Sequence, residues 1–235
     1  MLGATYKAIV PSGLRQILRR RFDAAFCKDY RDKETLGSRC PWTILTGHLG
    51  PSSVVYSGGV GEDISFEMEL IERFGVTVHL FDPSPMALDT IAGASRYRDK
   101  LHFKALGLAG ASSAMAFAPV DDGRHGLSHW RKAPDSSEVE TVPCTTLLEE
   151  MKLNNHTRID LLKIDIEGFE YEVLESCLAN DIFPTQICVE FHHFLGGGAS
   201  RATTASLLLR LGRSGYHLIH KSQYDYTLYR REHTS

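Results

Sequence analysis

One stretch, Ser53 to Pro85, limits what this chain can fold into more than any other. Ser53 to Tyr56 is a short apolar, β-branched run. Ser57-Gly58-Gly59-Val60-Gly61 breaks it, and a helically periodic segment then runs from near Ile64 to Phe74-Gly75. Val76 to Phe81 follows as a second strand ending on Asp82. A strand, glycine turn, helix and strand with an acid about 20 residues beyond the glycines is the layout of a nucleotide-binding βαβ unit. The acid grips a ribose, and the glycines let the ligand touch backbone from which any Cβ would hold it away.

The glycine pattern separates the ligands that use this layout. A dinucleotide fingerprint needs G-x-G-x-x-G, and Gly59-Val60-Gly61-Glu62-Asp63-Ile64 lacks the third glycine. Glu62 and Asp63 also put two carboxylates where a helix N-terminus would receive a pyrophosphate, and like charges repel. No Gly-Lys-Ser/Thr follows the turn, which removes a P-loop. A sulfonium cofactor such as S-adenosylmethionine carries no phosphate to be repelled. A glycine-rich turn that binds nothing stays open as the alternative.

The chain has 235 residues, 43% of them hydrophobic, enough for one large α/β domain. We divide it into an N-terminal helical extension and edge strand over 1–50 and a ligand-binding domain over 51–235. A net charge of −3 gives no basic field, so no nucleic-acid partner is expected. No apolar run is long enough to span a membrane. The cysteines at 27, 40, 144, 177 and 188 are odd in number and scattered, which suits reduced thiols in a cytoplasmic protein. In the extension, Leu14, Ile17, Leu18, Phe22 and Phe26 recur at helical spacing with Arg15, Arg19, Arg20 and Arg21 between them. A basic amphipathic lid or homodimer helix fits this pattern better than a presequence, because Asp23, Asp29 and Asp32 follow closely. Cys40 to Leu45 reads as a short edge strand.

Further along, Ser84 and Pro85 are suited to start a helix running to about Ala94. Leu101 to Leu106, Ala114 to Ala118 and Val139 to Val142 read as strands, and Thr145 or Thr146 starts a helix. Asp121 to Ser137, with Arg124, His125, His129 and Trp130, reads as a long polar loop and a candidate substrate cover. An apolar strand ending on Asp165 leads into a helix opened by Gly168, and Ile187 to His193 repeats the design with Glu190, His192 and His193 at its end. In an open parallel sheet the carboxyl ends of the strands face the ligand crevice, which points these groups at the cofactor. Thr203 to Leu211 is a helix; Tyr216 to His220 and Tyr224 to Tyr229 form an antiparallel hairpin at a sheet edge.

The segment Asp160-Leu-Leu-Lys-Ile-Asp-Ile-Glu-Gly-Phe-Glu170 resembles the signature of the FkbM-type methyltransferases, a branch of the class I S-adenosylmethionine-dependent methyltransferases. Val142-Pro-Cys-Thr-Thr-Leu-Leu, Lys104-Ala-Leu-Gly107 and the Ser57 to Asp82 unit are similar in the same order, so the likeness covers roughly residues 53 to 192. It implies a Rossmann-like α/β fold: a seven-stranded, mostly parallel sheet with an antiparallel C-terminal hairpin and helices on both faces. It also implies S-adenosylmethionine as cofactor, with Ser57, Gly58, Gly59 and Gly61 at the methionine part, Asp82 on the ribose hydroxyls, Ala105 and Leu106 flanking adenine, and Asp165 under the methyl donor.

The first strand departs from that family, which usually ends it with an acid before G-x-N-x-G. This chain has Val55 there, Ser57 for the first glycine and Gly59 for the asparagine. Glu62, Asp63 or the carbonyls around Ser57 and Gly58 are the available substitutes.

Methyl transfer is an in-line displacement, so alignment in a dry pocket is the main task, and an alcohol acceptor also needs a base. Candidates are Asp165, Glu167, Glu190, His192 and His193. A histidine oriented by Glu190 is preferred, because imidazole titrates near neutral pH. Asp165, Glu190 and His192 could also form a carboxylate–imidazole metal set, but none is assigned. The expected activity is O-methylation of a small-molecule or natural-product hydroxyl or carboxylate. The alternatives are a nicotinamide-dependent oxidoreductase and a catalytically silent methyltransferase-like binding protein.

Overall fold

The computed structural model describes residues 27–112, 141–193 and 199–231, and the backbone of 115–120, 129–132 and 140. The basic segment 1–26, most of the 121–137 stretch and the glycines 196–198 lie outside the described residues.

In chain order the elements are β1 (Lys33–Leu36), β2 (Trp42–Leu45), β3 (Val54–Gly58), α1 (Ser65–Phe74), β4 (Thr77–Phe81), α2 (Pro85–Gly93), β5 (Leu101–Lys104), β6 (Gly107–Leu108), β7 (Met115–Val120), β8 (His129–Lys132), β9 (Glu140–Val142), β10 (Cys144–Thr145), α3 (Leu147–Leu153), β11 (Leu161–Ile164), α4 (Glu170–Ala179), β12 (Gln186–Glu190), α5 (Arg201–Arg213), β13 (Tyr216–Ser222) and β14 (Asp225–Arg230). Local chemistry sets several of the helix ends. Gly75, in the left-handed region, stops α1. Ser84 accepts a bond from Ala87 N and Pro85 supplies a fixed φ at the start of α2. Thr146 and Glu149 form a reciprocal capping box at α3.

The main sheet has seven strands in the order β13-β14-β12-β11-β3-β4-β5. β3, β4, β5, β11 and β12 run parallel, while β14 is antiparallel to both β12 and β13. Successive residues of each strand serve opposite faces. Val55, Val78, Leu80, Leu161 and Cys188 pack with Phe66, Leu70 and Ile71 of α1 and Ala87 of α2. Tyr56, Phe81, Leu162, Ile164, Ile187 and Val189 pack on the other face with Met151, Leu174 and Leu207 of α3, α4 and α5. Because both faces are covered, the central strands read as mostly apolar runs, in which Ser57, His79 and Lys163 are themselves buried, rather than as alternating ones.

The expected fold class is therefore the observed one, with local differences. The Cys40–Leu45 strand is not an edge of the main sheet: β2 pairs with β1 in its own ribbon. All four β2 residues are buried: Trp42 and Ile44 join the cluster packed with α1, Leu45 packs with Ile219 and Tyr229, and Gln186 at the start of β12 bonds both Leu45 N (2.7 Å) and Leu45 O (2.8 Å). β12 ends at Glu190 instead of running to His193, since its antiparallel partner β14 begins opposite it at Asp225. Part of the stretch read as a polar loop is strand: β8 pairs antiparallel with β7, which in turn pairs with β9. That pairing is long-range information which the polar composition of 121–137 conceals.

No helix among the described residues is long and apolar enough to cross a membrane. Cys177 and Cys188 are buried, and burial pushes both thiols up to about 12, as fits small core hydrophobes.

Candidate active site

The parallel register aligns the strand ends. Gly58 stands opposite Phe81 on one side and Ile164 on the other, Phe81 stands opposite Lys104, and Ile164 opposite Val189. The next residue of each strand, Gly59, Asp82, Ala105, Asp165 and Glu190, therefore forms one row along the carboxyl edge. Asp225 joins the row as the register partner of Glu190. Strand order reverses between β3 and β11, the place where an open α/β sheet leaves a crevice.

At that crevice the glycine turn is held by the protein itself. Gly59 has φ +83°, and a Cβ there would lie 1.8 Å from the carbonyl oxygen of Asp165. A Cβ on Gly58 would meet Ile166 and Leu108 side chains at 3.1 and 3.2 Å. Packing within the protein by itself thus requires glycine at 59 and crowds any side chain at 58. Gly61 is different: its φ is +52° and a Cβ there would meet nothing within 4 Å, so the turn is open at that point. Ala105 is exposed and Leu106 half-buried at the neighbouring strand end.

Asp82 braces this turn. Its Oδ2 accepts bonds from Val60 N (2.8 Å) and Gly61 N (2.9 Å), and its Oδ1 accepts one from Ser84 N (2.8 Å). Ser57 is wholly buried, and its hydroxyl donates to Glu67 on α1 at 2.6 Å, so its side chain faces away from the crevice. The carbonyls of Gly58 and Gly59 both accept from the buried ammonium of Lys163. Asp63 accepts from Cys40 N and from Ser65, and Glu62 pairs with Arg39. The substitutes proposed for the missing first-strand acid are therefore committed to tying the turn to β11 and to the β1–β2 ribbon. Lys163 went unassigned in the sequence, although a cation in the apolar run Leu161–Ile164 signals a buried partner.

The second half of the row is a carboxylate–imidazole cluster. His192 is 5% exposed. Its Nδ1 lies 2.7 Å from Oε1 of Glu170, while its Nε2 lies 3.7 Å from Asp165, 3.6 Å from Glu167 and 3.9 Å from Glu190. Glu170 is wholly buried, and its Oε1 also accepts from Ile166 N (3.1 Å) and Gly168 N (3.0 Å). It thus fixes the ring and the turn after β11 together. Glu170, not Glu190, orients His192. Its place in the family-like segment was visible, but no role was, because the contact spans the gap between β11 and β12. Glu167 (φ +54°) and Gly168 (φ +107°) both adopt left-handed backbone, which turns the chain sharply after Asp165.

His193 goes elsewhere: its Nδ1 lies 3.5 Å from Thr204 Oγ1, and its ring meets Tyr224 edge-on. The two histidines do face different ways, and His192 is the one that joins the cluster.

Charge crowding shows in the titration of these groups. Burial, followed by the charge of Asp165, pushes Glu190 up to about 7. The same two causes raise Asp225, which no sequence pattern had marked, to about 6. Burial pulls His192 down, but the bond to Glu170 and the charges of Glu170, Glu167 and Asp165 outweigh it and raise the ring to about 10. The carboxylates around the ring thus favour its protonated form.

Against known proteins, the family model described as Methyltransferase FkbM domain matches residues 52–218, more than half of the chain. No curated protein matches by sequence. Among solved structures, the chain is similar to the "METTL16 MTase domain (crystal form 2)" at 9% identity and a TM-score of 0.45, over 80% of this chain and 63% of that one. A second structure, the "METTL16 MTase domain", gives 12% identity and a TM-score of 0.43, over 77% and 61%. The chain thus spans less than two thirds of the length of either.

Proposed function

The chain belongs to the FkbM methyltransferase family, and we propose that it methylates an oxygen of a small-molecule acceptor, a hydroxyl or a carboxylate, with S-adenosylmethionine as donor. The observation that carries this reading is the row along the carboxyl edge. One half is a glycine turn open at Gly61 beside Asp82, Ala105 and Leu106, and the other is the polar cluster of Asp165, Glu190 and His192. The two halves meet at the Gly59–Asp165 contact.

These residues fit the cofactor. The open turn accommodates the methionine end at Gly59 to Gly61, Asp82 offers carboxylate lone pairs to ribose hydroxyls, and Ala105 and Leu106 present a small, partly apolar surface to a purine. S-adenosylmethionine, when bound, supplies a methyl group on a sulfonium that an acceptor oxygen displaces in line. The chain's part is to orient and to exclude water. Asp165 stands at the junction of the two halves and positions the acceptor against the donor. Glu190 and Asp165, each less than a third exposed, are the groups within reach of an acceptor proton, and His192, pinned by Glu170, holds their charge in place. His193, which meets Thr204 and Tyr224, is given no direct part in this reading.

Calorimetry with S-adenosylmethionine tests the cofactor, and production of S-adenosylhomocysteine across a panel of phenols, sugar alcohols and carboxylic acids tests the acceptor class. Saturable binding and oxygen-acceptor turnover are expected. Folded protein with no affinity for S-adenosylmethionine would overturn the reading.

A further inference from the structure

We infer that Asp165, Glu190 and His192 together bind one hard-to-borderline divalent cation such as Mn2+ at the carboxyl edge of the sheet. One ligand atom from each of the three lies within 4.8 Å of the others. The Nε2 separations from Asp165 (3.7 Å) and Glu190 (3.9 Å) are too long for hydrogen bonds. They fall between the values for two ligand atoms on one small cation, about 3 Å when adjacent and about 4.2 Å when opposite for bonds near 2.1 Å.

Two further observations support an ion rather than a chance gathering of acids. The first is the imidazole. His192 is buried, its Nδ1 is engaged by a wholly buried carboxylate, and its Nε2 faces Glu167 (3.6 Å) as well as Asp165 and Glu190. A metal-ligating histidine is held in this way, with the outer carboxylate fixing the tautomer and the ring plane. The second is the charge balance. Asp165, Glu190 and Asp225 converge here beside the single imidazole of His192, and among the described residues no Lys or Arg forms an ion pair with any of the three acids. The cluster thus has an excess of negative charge that a dication would neutralise. Two carboxylate oxygens with one imidazole nitrogen suit a hard-to-borderline ion such as Mn2+ better than a thiolate-seeking ion, and the partial exposure of Asp165 and Glu190 leaves coordination positions for water or an acceptor oxygen. What the ion would do there, holding that oxygen and lowering its proton affinity, rests on the methyltransferase reading. Its binding does not.

The probe is Mn2+ alone, added to the full chain. Its free six-line electron paramagnetic resonance signal should fall with saturation at one ion per chain, and pulsed measurements on the wild-type protein should show one directly bound imidazole nitrogen. Asp165→Asn and Glu190→Gln should each weaken binding at least tenfold, and Glu170→Gln by about 10–100-fold through loss of the outer partner. Glu175→Gln, at an exposed ion pair with Arg210, should leave binding unchanged. Absence of saturable binding, absence of the nitrogen coupling in the wild type, or wild-type affinity in both Asp165→Asn and Glu190→Gln would each overturn the inference. Calorimetry with S-adenosylmethionine on the same samples keeps the two readings apart. Cofactor binding without Mn2+ binding removes only the ion site, and the reverse removes only the donor.

Discussion

Gly59 and Asp165 touch where β3 and β11 end: a methyl group on Gly59 would lie 1.8 Å from the Asp165 carbonyl oxygen. That carbonyl belongs to backbone and cannot swing aside as a flexible side chain could. Gly59→Ala is therefore expected to cost at least about 3 kcal/mol, through strain at positive φ and forced separation of two central strands. Gly61→Ala, in open space, should cost about 1–2 kcal/mol from left-handed backbone alone. Denaturant unfolding of the two variants checks the ranking, and equal stabilities would show that the turn yields more than this contact implies.

Asp82 has two tasks here that a single variant separates. As the acceptor for Val60 N, Gly61 N and Ser84 N it stabilises the turn without any ligand, and as the proposed ribose partner it contributes to binding. Asp82→Ala should lower the melting temperature of the ligand-free protein and weaken S-adenosylmethionine binding by about 1–3 kcal/mol. An unchanged melting temperature would remove the brace, and unchanged affinity would remove the ribose role.

Glu170→Ala leaves His192 Nδ1, Ile166 N and Gly168 N without their acceptor in a buried setting. Breaking one side of such a pair costs about 3–5 kcal/mol, whereas Glu170→Gln, which keeps an acceptor of the same shape, should cost less. Chemical denaturation with a common m-value measures both. A Glu170→Ala variant within about 1 kcal/mol of wild type would contradict the central place given to this side chain.

His79 gives the stability a pH dependence. Burial first, then the neighbouring His156 and His102, lower its pKa from 6.5 to about 4 in the folded protein. The unfolded chain therefore binds a proton that the folded one refuses, so the contribution is complete above pH 6.5 and is lost as pH falls towards 4. His79→Phe, which keeps a ring stacked on Tyr56, should lessen the drop in urea midpoint between pH 7.5 and pH 5. Identical drops in the two proteins would locate the dependence in other groups.

The sequence by itself determined the βαβ core, the helix starts at Ser84 and at Thr145 or Thr146, the C-terminal hairpin and the strand ends that carry Asp82, Asp165 and Glu190. Each of these is written in short-range patterns: apolar runs, glycine breaks and capping residues act over a few positions. Only the tertiary structure decided what those ends do. It gave Gly59 to the Asp165 carbonyl, Ser57 to Glu67, the Gly58 and Gly59 carbonyls to Lys163, and the ring of His192 to Glu170 in place of Glu190. It also brought in Asp225, 60 residues beyond Asp165 in the chain, as the register partner of Glu190. The physical reason is that side-chain partners across a parallel sheet are chosen by strand order and register. Both are set by packing of whole faces against helices and leave no trace in the spacing of the residues concerned.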